Sequence, residues 1–137
     1  MASTVGVGGV PGTNFRWPVG SGSFGEGKDL TPSRERLFAK WIAIYKEKML
    51  SRGEYLGTLY DIGFDKPETH AIRKDGKMYY AFYAPRWNGK IMLKGLENRT
   101  YQVTDYVNGI DLATAHGPAA TIDVRFVEHL LIEATPQ

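Results

Sequence analysis

The sequence contains no cysteine among its 137 residues. Disulfide bonds and thiolate metal sites are therefore excluded, and the redox compartment stays open. Charge of one sign is also not in excess, since 17 Lys and Arg stand against 15 Asp and Glu, for a net charge of +2. Because the basic residues are interleaved with acidic ones and form no stripe, the sequence argues against a nucleic-acid partner.

Long apolar runs are missing as well. No run approaches the ~20 residues that a membrane-spanning helix needs. The first residues lack the basic segment followed by an apolar segment that defines a signal peptide. We therefore expect no membrane partner. With 42% hydrophobic and 23% charged residues, the composition is typical of a globular protein. The length predicts one domain, or one domain with an appendage.

The glycine-rich opening, "VGVGGVPGTNFRWP", lacks the pattern of a phosphate-binding loop. Gly6 and Gly8 fit the first two positions of G-x-G-x-x-G, but Pro11 occupies the third. No Gly-Lys-Ser/Thr follows. The segment "STVGVGG" instead predicts a strand that ends in a turn at "PGT", where small residues allow close approach of the backbone.

Catalytic and metal-binding patterns are also not found. His70, His116 and His129 are far apart and lack ligand spacing, so neither a metal nor a cofactor is expected. Asp61 and Asp65 lie in a connection that contains Gly and Pro, where Asp commonly bonds its own backbone. We interpret both as turn residues, and no catalytic residue is assigned in this chain.

One long helix is predicted over residues 33–51. Thr31 is suited to the N-cap, and Pro32 to the first helical position, where a missing N–H costs nothing. Apolar residues then recur every three or four positions. Gly53 is predicted to end the helix in a left-handed conformation. The apolar face is wide, which indicates that the helix packs on a large surface.

From about residue 55 the hydrophobic pattern changes to period two. Asp75-Gly76, Asn88-Gly89 and Asn108-Gly109 supply the turn dipeptides of tight hairpins. The spacing of about 8–12 residues per strand predicts about seven or eight strands. The fold class is therefore mainly β, an antiparallel β-sandwich of Greek-key type that follows one long α-helix.

The aromatic stretch "MYYAFYAPRW" is apolar on both faces. Met78, Tyr80 and Phe82 share one face, and Tyr79 and Tyr83 share the other. A strand of this kind is usually central and covered on both sides. The alternative is a platform on which sugar rings stack, because flat aromatic side chains bind the apolar faces of pyranoses.

Several motifs together carry a family resemblance. They are "VGVGGVPGTNFRWP", "LTP" before a helix with "W…YKEKML", "GEYLGTLYDIGFDKPETHAIRKDGKMYYAFYAPRWNGKIMLKGL", "YQVTDYVNG" and "VRFVEHLLIEATP". They closely resemble the C-terminal end of bacterial α-galactosidase-like glycoside hydrolases of family 36, in the same clan as family 27. In that family a (β/α)8 barrel carries catalysis and an antiparallel β-sandwich follows it.

The resemblance implies a division of the chain. Residues 1–52 resemble a Gly-rich remnant of the end of the barrel, and residues 55–137 resemble the C-terminal sandwich. The two catalytic aspartates of the family lie on earlier barrel strands, and this chain has no positions that match them. Met1 is therefore expected to mark a truncated reading frame or a deliberately chosen start. A secreted or periplasmic parent is one option, and the compartment stays open.

The same resemblance places the candidate sugar-binding residues. In a barrel enzyme the residues just after a strand face the active site. The rim of a galactoside site is accordingly expected at Gly8, Gly9, Thr13, Asn14, Phe15 and Trp17.

Two functional hypotheses follow from the sequence. The first is an inactive C-terminal fragment of a retaining, two-aspartate α-galactosidase, whose sandwich is structural and whose partner is the missing catalytic barrel. The alternative is a self-standing carbohydrate-binding β-sandwich, motivated by the aromatic content of 12%.

Overall fold

A computed structural model describes residues 1–12 and 30–137. In this part of the chain there are two α-helices, a 3₁₀ turn and six strands. None of the helices described is long and apolar enough to cross a membrane. The elements are α1 (Ala2–Gly6), α2 (Pro32–Lys48), the 3₁₀ turn (Leu50–Arg52), β1 (Glu54–Tyr55), β2 (Glu68–Lys74), β3 (Lys77–Lys94), β4 (Thr100–Asp105), β5 (Ile110–His116) and β6 (Ala119–Pro136).

The start of the chain differs from the expectation. The segment predicted as a strand forms the helix α1, with N–H groups of Val5 and Val7 donating to the carbonyls of Met1 and Ser3 at 2.9 and 3.2 Å. α1 packs on the face of β3 and β6 and does not pair with a strand edge in the described part. Its backbone groups are therefore satisfied internally, as a helix allows. The strand prediction at the glycine-rich opening is wrong.

The start of α2 follows the sequence signals. The Thr31 hydroxyl accepts a hydrogen bond from the Arg34 N–H at 3.3 Å, and Pro32 occupies the first turn. The predicted end is wrong, because Met49, and not Gly53, adopts the left-handed conformation (φ 45°, ψ 45°). A 3₁₀ turn follows it. Gly53 is required for another reason: a Cβ there would collide with the Ile72 side chain.

The strands form one open, antiparallel sheet with the order β1-β2-β3-β6-β4-β5. β6 inserts between β3 and β4, so the sheet is not a simple meander. The mainly β, antiparallel class is confirmed. Residues 1–12 and 30–137 contain six strands instead of the predicted seven or eight, because β3 and β6 each run for 18 residues. The prediction of a turn at Asn88-Gly89 is wrong, since Gly89 stays in the ladder opposite Val124.

The other two turn predictions are confirmed. Asp75 and Gly76 have φ values of 51° and 74° and join β2 directly to β3. Such paired positive φ angles match the twist of the flanking strands. Asn108-Gly109 lies in a four-residue connection between β4 and β5. The Asp105 carboxylate accepts from the Asn108 side chain there at 2.7 Å, which closes the connection.

The paired strands β3 and β6 fold back together over their own sheet. The Tyr80 hydroxyl donates to the carbonyl of Lys94 at 2.7 Å, although both residues belong to β3. A straight strand would separate them by about 46 Å. The bend coincides with the bulge between Ala84 and Arg86, as expected for a local kink in a ladder. The result is a sandwich-like layer made from the second half of β3 and the first half of β6.

Tyr60 holds this fold in place. Its hydroxyl donates to the carbonyl of Met92 at 2.7 Å and accepts from the N–H of Lys94 at 2.9 Å. The connection between β1 and β2 thus satisfies backbone groups on the side of β3 that faces away from β6. Buried backbone groups need such partners.

Core residues lie on both faces of the sheet. The part between the sheet and the folded-back strands includes Tyr80, Phe82, Leu93, Val103 and Ile132. The part on the opposite face lies under the helices and includes Val5, Trp41, Ile44, Ala81 and Leu131. Residues 78–82 are buried without interruption, which confirms that the aromatic stretch is a central strand.

An ion cluster connects α2 to the sheet on the helix side. Glu133 accepts from the ammonium groups of Lys48 and Lys77 at 2.7 and 2.5 Å, and its side chain is only 10% exposed. Burial alone would raise the pKa of Glu133, but these hydrogen bonds outweigh burial and lower the pKa to about 2. The carboxylate therefore stays charged and holds the end of α2 against β6.

Glu133→Gln is predicted to destabilise the fold by about 3 kcal/mol at neutral pH, since the pKa falls by about two and a half units. A lowered carboxyl pKa stabilises the fold above the unfolded pKa, and this contribution is lost as the pH falls towards 2. Urea unfolding at several pH values measures both effects. Glu97→Gln, at an exposed ion pair, is the control. An equal loss in both variants would contradict the prediction.

Tyr60→Phe is predicted to cost about 2 kcal/mol, because it removes one donated and one accepted hydrogen bond. Denaturant unfolding measures the loss. Tyr45→Phe is the matched control, since the Tyr45 hydroxyl has only a 3.5 Å contact with Ser51 at the surface. If the two variants unfold at the same denaturant concentration, Tyr60 does not hold the folded-back half of β3 in place.

Candidate functional site

Tyr83 lies where α1 meets the sheet. Its hydroxyl is 3.2 Å from the Ala2 carbonyl and 3.3 Å from the Ser3 carbonyl, to which it donates. Gly6 allows this approach, because a Cβ there would collide with the Tyr83 hydroxyl and crowd Leu131. Burial, helped by the charge of Glu68, raises the pKa of Tyr83. The hydroxyl thus remains a donor at physiological pH, and it holds α1 in place.

Three cavities adjoin one another around Tyr83, which lines them all. Their volumes are 670, 490 and 610 Å³, each within the range of roughly 300–1,000 Å³ typical of ligand pockets. We call the three together the Tyr83 groove. One end is lined by Gly9, Glu68 and His70. The centre is lined by Lys66, Pro85 and Glu128. The other end is lined by Lys40, Trp41, Asn108 and His129.

One end of the groove carries a chain of hydrogen bonds. The Tyr55 hydroxyl is 2.7 Å from Nδ1 of His70, and Nε2 of the same ring is 2.8 Å from Oε1 of Glu68. His70 also contacts Tyr83 through its ring, at 5.9 Å between centroids. Burial, followed by the Glu68 charge, raises the pKa of Tyr55. The imidazole is thereby held in a fixed orientation between a phenol and a carboxylate.

The other end is formed by α2 and the middle of β6. The rings of Trp41 and His129 lie 5.7 Å apart and are tilted by 58°. Lys40 on α2 and Asn108 on the β4–β5 connection complete the lining. This end therefore offers aromatic edges, one cation and one amide.

The centre of the groove has an irregular backbone. Pro85 is the extra residue of the β3 bulge, where a missing N–H is tolerated. Glu128, opposite the bulge, has a φ of 64°. This conformation is uncommon for a residue with a Cβ, and bulges next to binding sites often redirect a side chain. The bulge turns the exposed Glu128 towards the cavity.

The groove combines cations, carboxylates, imidazoles and aromatic rings. Among residues 1–12 and 30–137, no three His, Asp or Glu side chains are grouped so as to hold a metal ion. The arrangement is suited to hydrogen bonding with a neutral polar ligand, since both donors and acceptors line it.

The predicted sugar-site residues are only partly within the described part of the chain. Gly9 lines the His70 end of the groove. Gly8 has a φ of 78° and packs against Ile72 and Leu50, so it faces the interior. The other four predicted residues lie outside the described residues. They are Thr13, Asn14, Phe15 and Trp17. Sugar contact by any of the six stays a prediction.

The remaining singled-out residues have ordinary roles. The Asp65 carboxylate accepts from the Asp61 N–H at 2.8 Å, which is the turn function that the sequence indicated. Nδ1 of His116 lies 2.8 Å from the carbonyl oxygen of Gly117. The stretch around Tyr80 is buried, so it cannot act as a stacking platform.

Sequence reasoning missed the groove residues on α2 and β6. Lys40 and Glu128 looked like ordinary surface charges, and Glu128 carries no glycine or asparagine signal for a positive φ. The proline at position 85, inside an otherwise continuous strand, was the one available signal, because proline in a strand often marks a bulge.

No protein-family model matches the chain. In sequence it is similar to "A type blood alpha-D-galactosamine galactosaminidase" of Flavonifractor plautii, with 40% identity over 125 residues. The match covers 85% of this chain and 12% of that enzyme. The chain is thus related to a segment of a glycoside hydrolase and spans about one eighth of its length.

Two solved structures show weaker likeness. A GH27 β-L-arabinopyranosidase of Geobacillus stearothermophilus has 14% identity and a TM-score of 0.42, over 53% of this chain and 18% of that one. The α-fucosidase of Thermotoga maritima has 19% identity and a TM-score of 0.42, over 74% of this chain and 26% of that one. The relationship stated above rests on the sequence match alone.

Gly6→Ala is predicted to displace α1 from the sheet, because the added methyl group would occupy the position of the Tyr83 hydroxyl. Faster amide hydrogen exchange over residues 2–8 would report the displacement of α1. The loss of NMR contacts between α1 and Tyr83 would report it as well. Gly12→Ala, where a Cβ meets nothing within 4 Å, is the matched control. Unchanged exchange in Gly6→Ala would show that α1 does not depend on this contact.

Proposed function

We propose that this chain is an accessory β domain, with its preceding helix, of a glycoside hydrolase resembling the α-galactosidases of family 36. The observation that carries the proposal is the 40% identity over 125 residues to a galactosaminidase. The match covers 85% of the chain and so supports a common domain and not a shared short motif.

The substrate class of the whole enzyme is proposed as a terminal α-galactoside or its amino-sugar counterpart. The name of the Flavonifractor enzyme supports the galactosamine form, and the sequence resemblance supports the galactose form. The parent would cleave the bond by a retaining mechanism with two carboxylates, one as nucleophile and one as general acid and base. In this proposal both carboxylates lie outside the chain.

The role of the chain itself is proposed to be structural. The carboxylates considered from the sequence serve local structure: Asp65 closes a turn on Asp61, and Glu133 joins α2 to the sheet. A domain held by such contacts can support a neighbouring catalytic barrel without contributing to the reaction. The barrel is the proposed partner of this domain.

The alternative, a self-standing carbohydrate-binding sandwich, was motivated by the aromatic content and the aromatic strand. Tyr79, Tyr80 and Phe82 lie in the core, with 6%, 1% and 1% of their surface exposed. These three rings therefore offer no surface on which a sugar could stack, and the accessory domain is the better proposal.

The proposal predicts that this chain can replace the matching segment of the Flavonifractor enzyme. A chimaera that carries this chain in place of the 125 matched residues should be soluble and should hydrolyse an aryl α-galactosaminide. Deletion of the segment should abolish soluble expression, because the domain surface on the barrel would be exposed. The isolated chain should show no turnover of aryl α-galactosides or α-galactosaminides.

A chimaera with Tyr60→Phe provides the matched control. The substitution should lower the thermal stability of the chimaera without changing its KM, as expected for a structural domain. Turnover by the isolated chain, or full activity of the deletion variant, would contradict the proposed accessory role.

A further inference from the structure

The Tyr83 groove is a site that the accessory role does not explain. A domain that only supports a neighbour needs no strained residue on its surface. Glu128 nevertheless has a φ of 64°, beside the bulge and at the centre of the groove. Strained conformations of this kind are retained mainly where a function requires the orientation of the side chain.

The charges of the groove are balanced and available. Lys40 and Lys66 supply two cations, and Glu68 and Glu128 supply two carboxylates. Within the described part of the chain, Lys40 and Glu128 have no ion-pair or hydrogen-bond partner. Because the formal charges cancel, the groove does not favour a phosphate or a metal cation. Its unpaired groups can instead bind a neutral ligand that both donates and accepts.

The shape of the groove adds a requirement of length. Its three adjoining cavities of 670, 490 and 610 Å³ run from His70 past Glu128 to Trp41. One aromatic ring, that of the half-buried Tyr83, lines every cavity. A neutral ligand with several hydroxyl groups, apolar ring faces and more than one ring unit fits these features.

We propose that the Tyr83 groove binds a neutral oligosaccharide, with the Glu128 carboxylate accepting hydrogen bonds from sugar hydroxyl groups at its centre. The location of the site rests on geometry alone. The choice of a saccharide among neutral polyols rests on the proposed function, since the chain is related to a glycosidase.

The test uses the purified chain with raffinose, an oligosaccharide that contains an α-galactoside, and with N-acetylgalactosamine. Calorimetry and backbone NMR shifts report the affinity and the position of binding. We expect raffinose to bind more tightly than the monosaccharide and to shift signals of residues 40, 83 and 128. Inorganic phosphate serves as the charged probe, and it should not compete.

Glu128→Gly makes the test sharp. Glycine adopts the positive φ without strain, so this variant should fold and should melt about 3 °C higher than the wild type. It should also bind raffinose about tenfold more weakly, since the carboxylate is lost. Glu97→Gln, at an exposed ion pair away from the groove, should change neither property. Lys40→Met should weaken binding without affecting the fold.

Equal raffinose affinity of the wild type and Glu128→Gly would overturn the proposal, as would shifts centred elsewhere, no binding at all, or competition by phosphate. The outcome is independent of the chimaera experiment. An active chimaera with no raffinose binding would overturn the groove proposal alone, whereas binding without an active chimaera would overturn only the accessory role.

Discussion

The fold depends on the bend of the β3–β6 strand pair. Two strands of 18 residues are joined by an almost continuous ladder, and a bulge between Ala84 and Arg86 lets the pair fold over its own sheet. One pair of strands thereby supplies both layers around the larger part of the core. Tyr80 and Tyr60 bond to the carbonyls of Lys94 and Met92 and fix the two layers relative to each other. Without the bend, the face that carries Phe82 and Ile132 would be left in water, at a cost of roughly 2 kcal/mol per large side chain.

The same bulge has a consequence on the opposite side of the sheet. It places Pro85 and Glu128 in a part of the sheet that the helices leave uncovered. α1 is held there by Gly6 against Tyr83, and α2 by Lys48 against Glu133. The groove and the core thus depend on the same bulge. This arrangement explains how a domain with a structural role can also present a polar binding surface.

The functional conclusion depends on how little of a larger enzyme this chain represents. It matches one eighth of a galactosaminidase, and its prominent carboxylates stabilise turns and helix packing. The proposed accessory domain contributes to a glycosidase by covering and positioning its neighbour. The proposed groove adds a second contribution, because a site that holds an oligosaccharide raises the concentration of substrate near the enzyme. Neither proposed role requires a reactive group.

Local signals determined the elements for which one residue type is chemically required. Thr31 and Pro32 set the start of α2, Asp75-Gly76 set the β2–β3 hairpin, and the apolar stretch around Tyr80 set a central strand, because capping, positive φ and burial each depend on the residues themselves. The motifs also indicated a glycosidase relationship. The helix at the glycine-rich opening, the end of α2 at Met49 and the continuous path through Gly89 were decided by tertiary structure, because each depends on which neighbour is present to pair or to pack. The groove belongs with these. Its residues come from α2, β3 and β6, and only the folded chain brings Lys40, Tyr83 and Glu128 together.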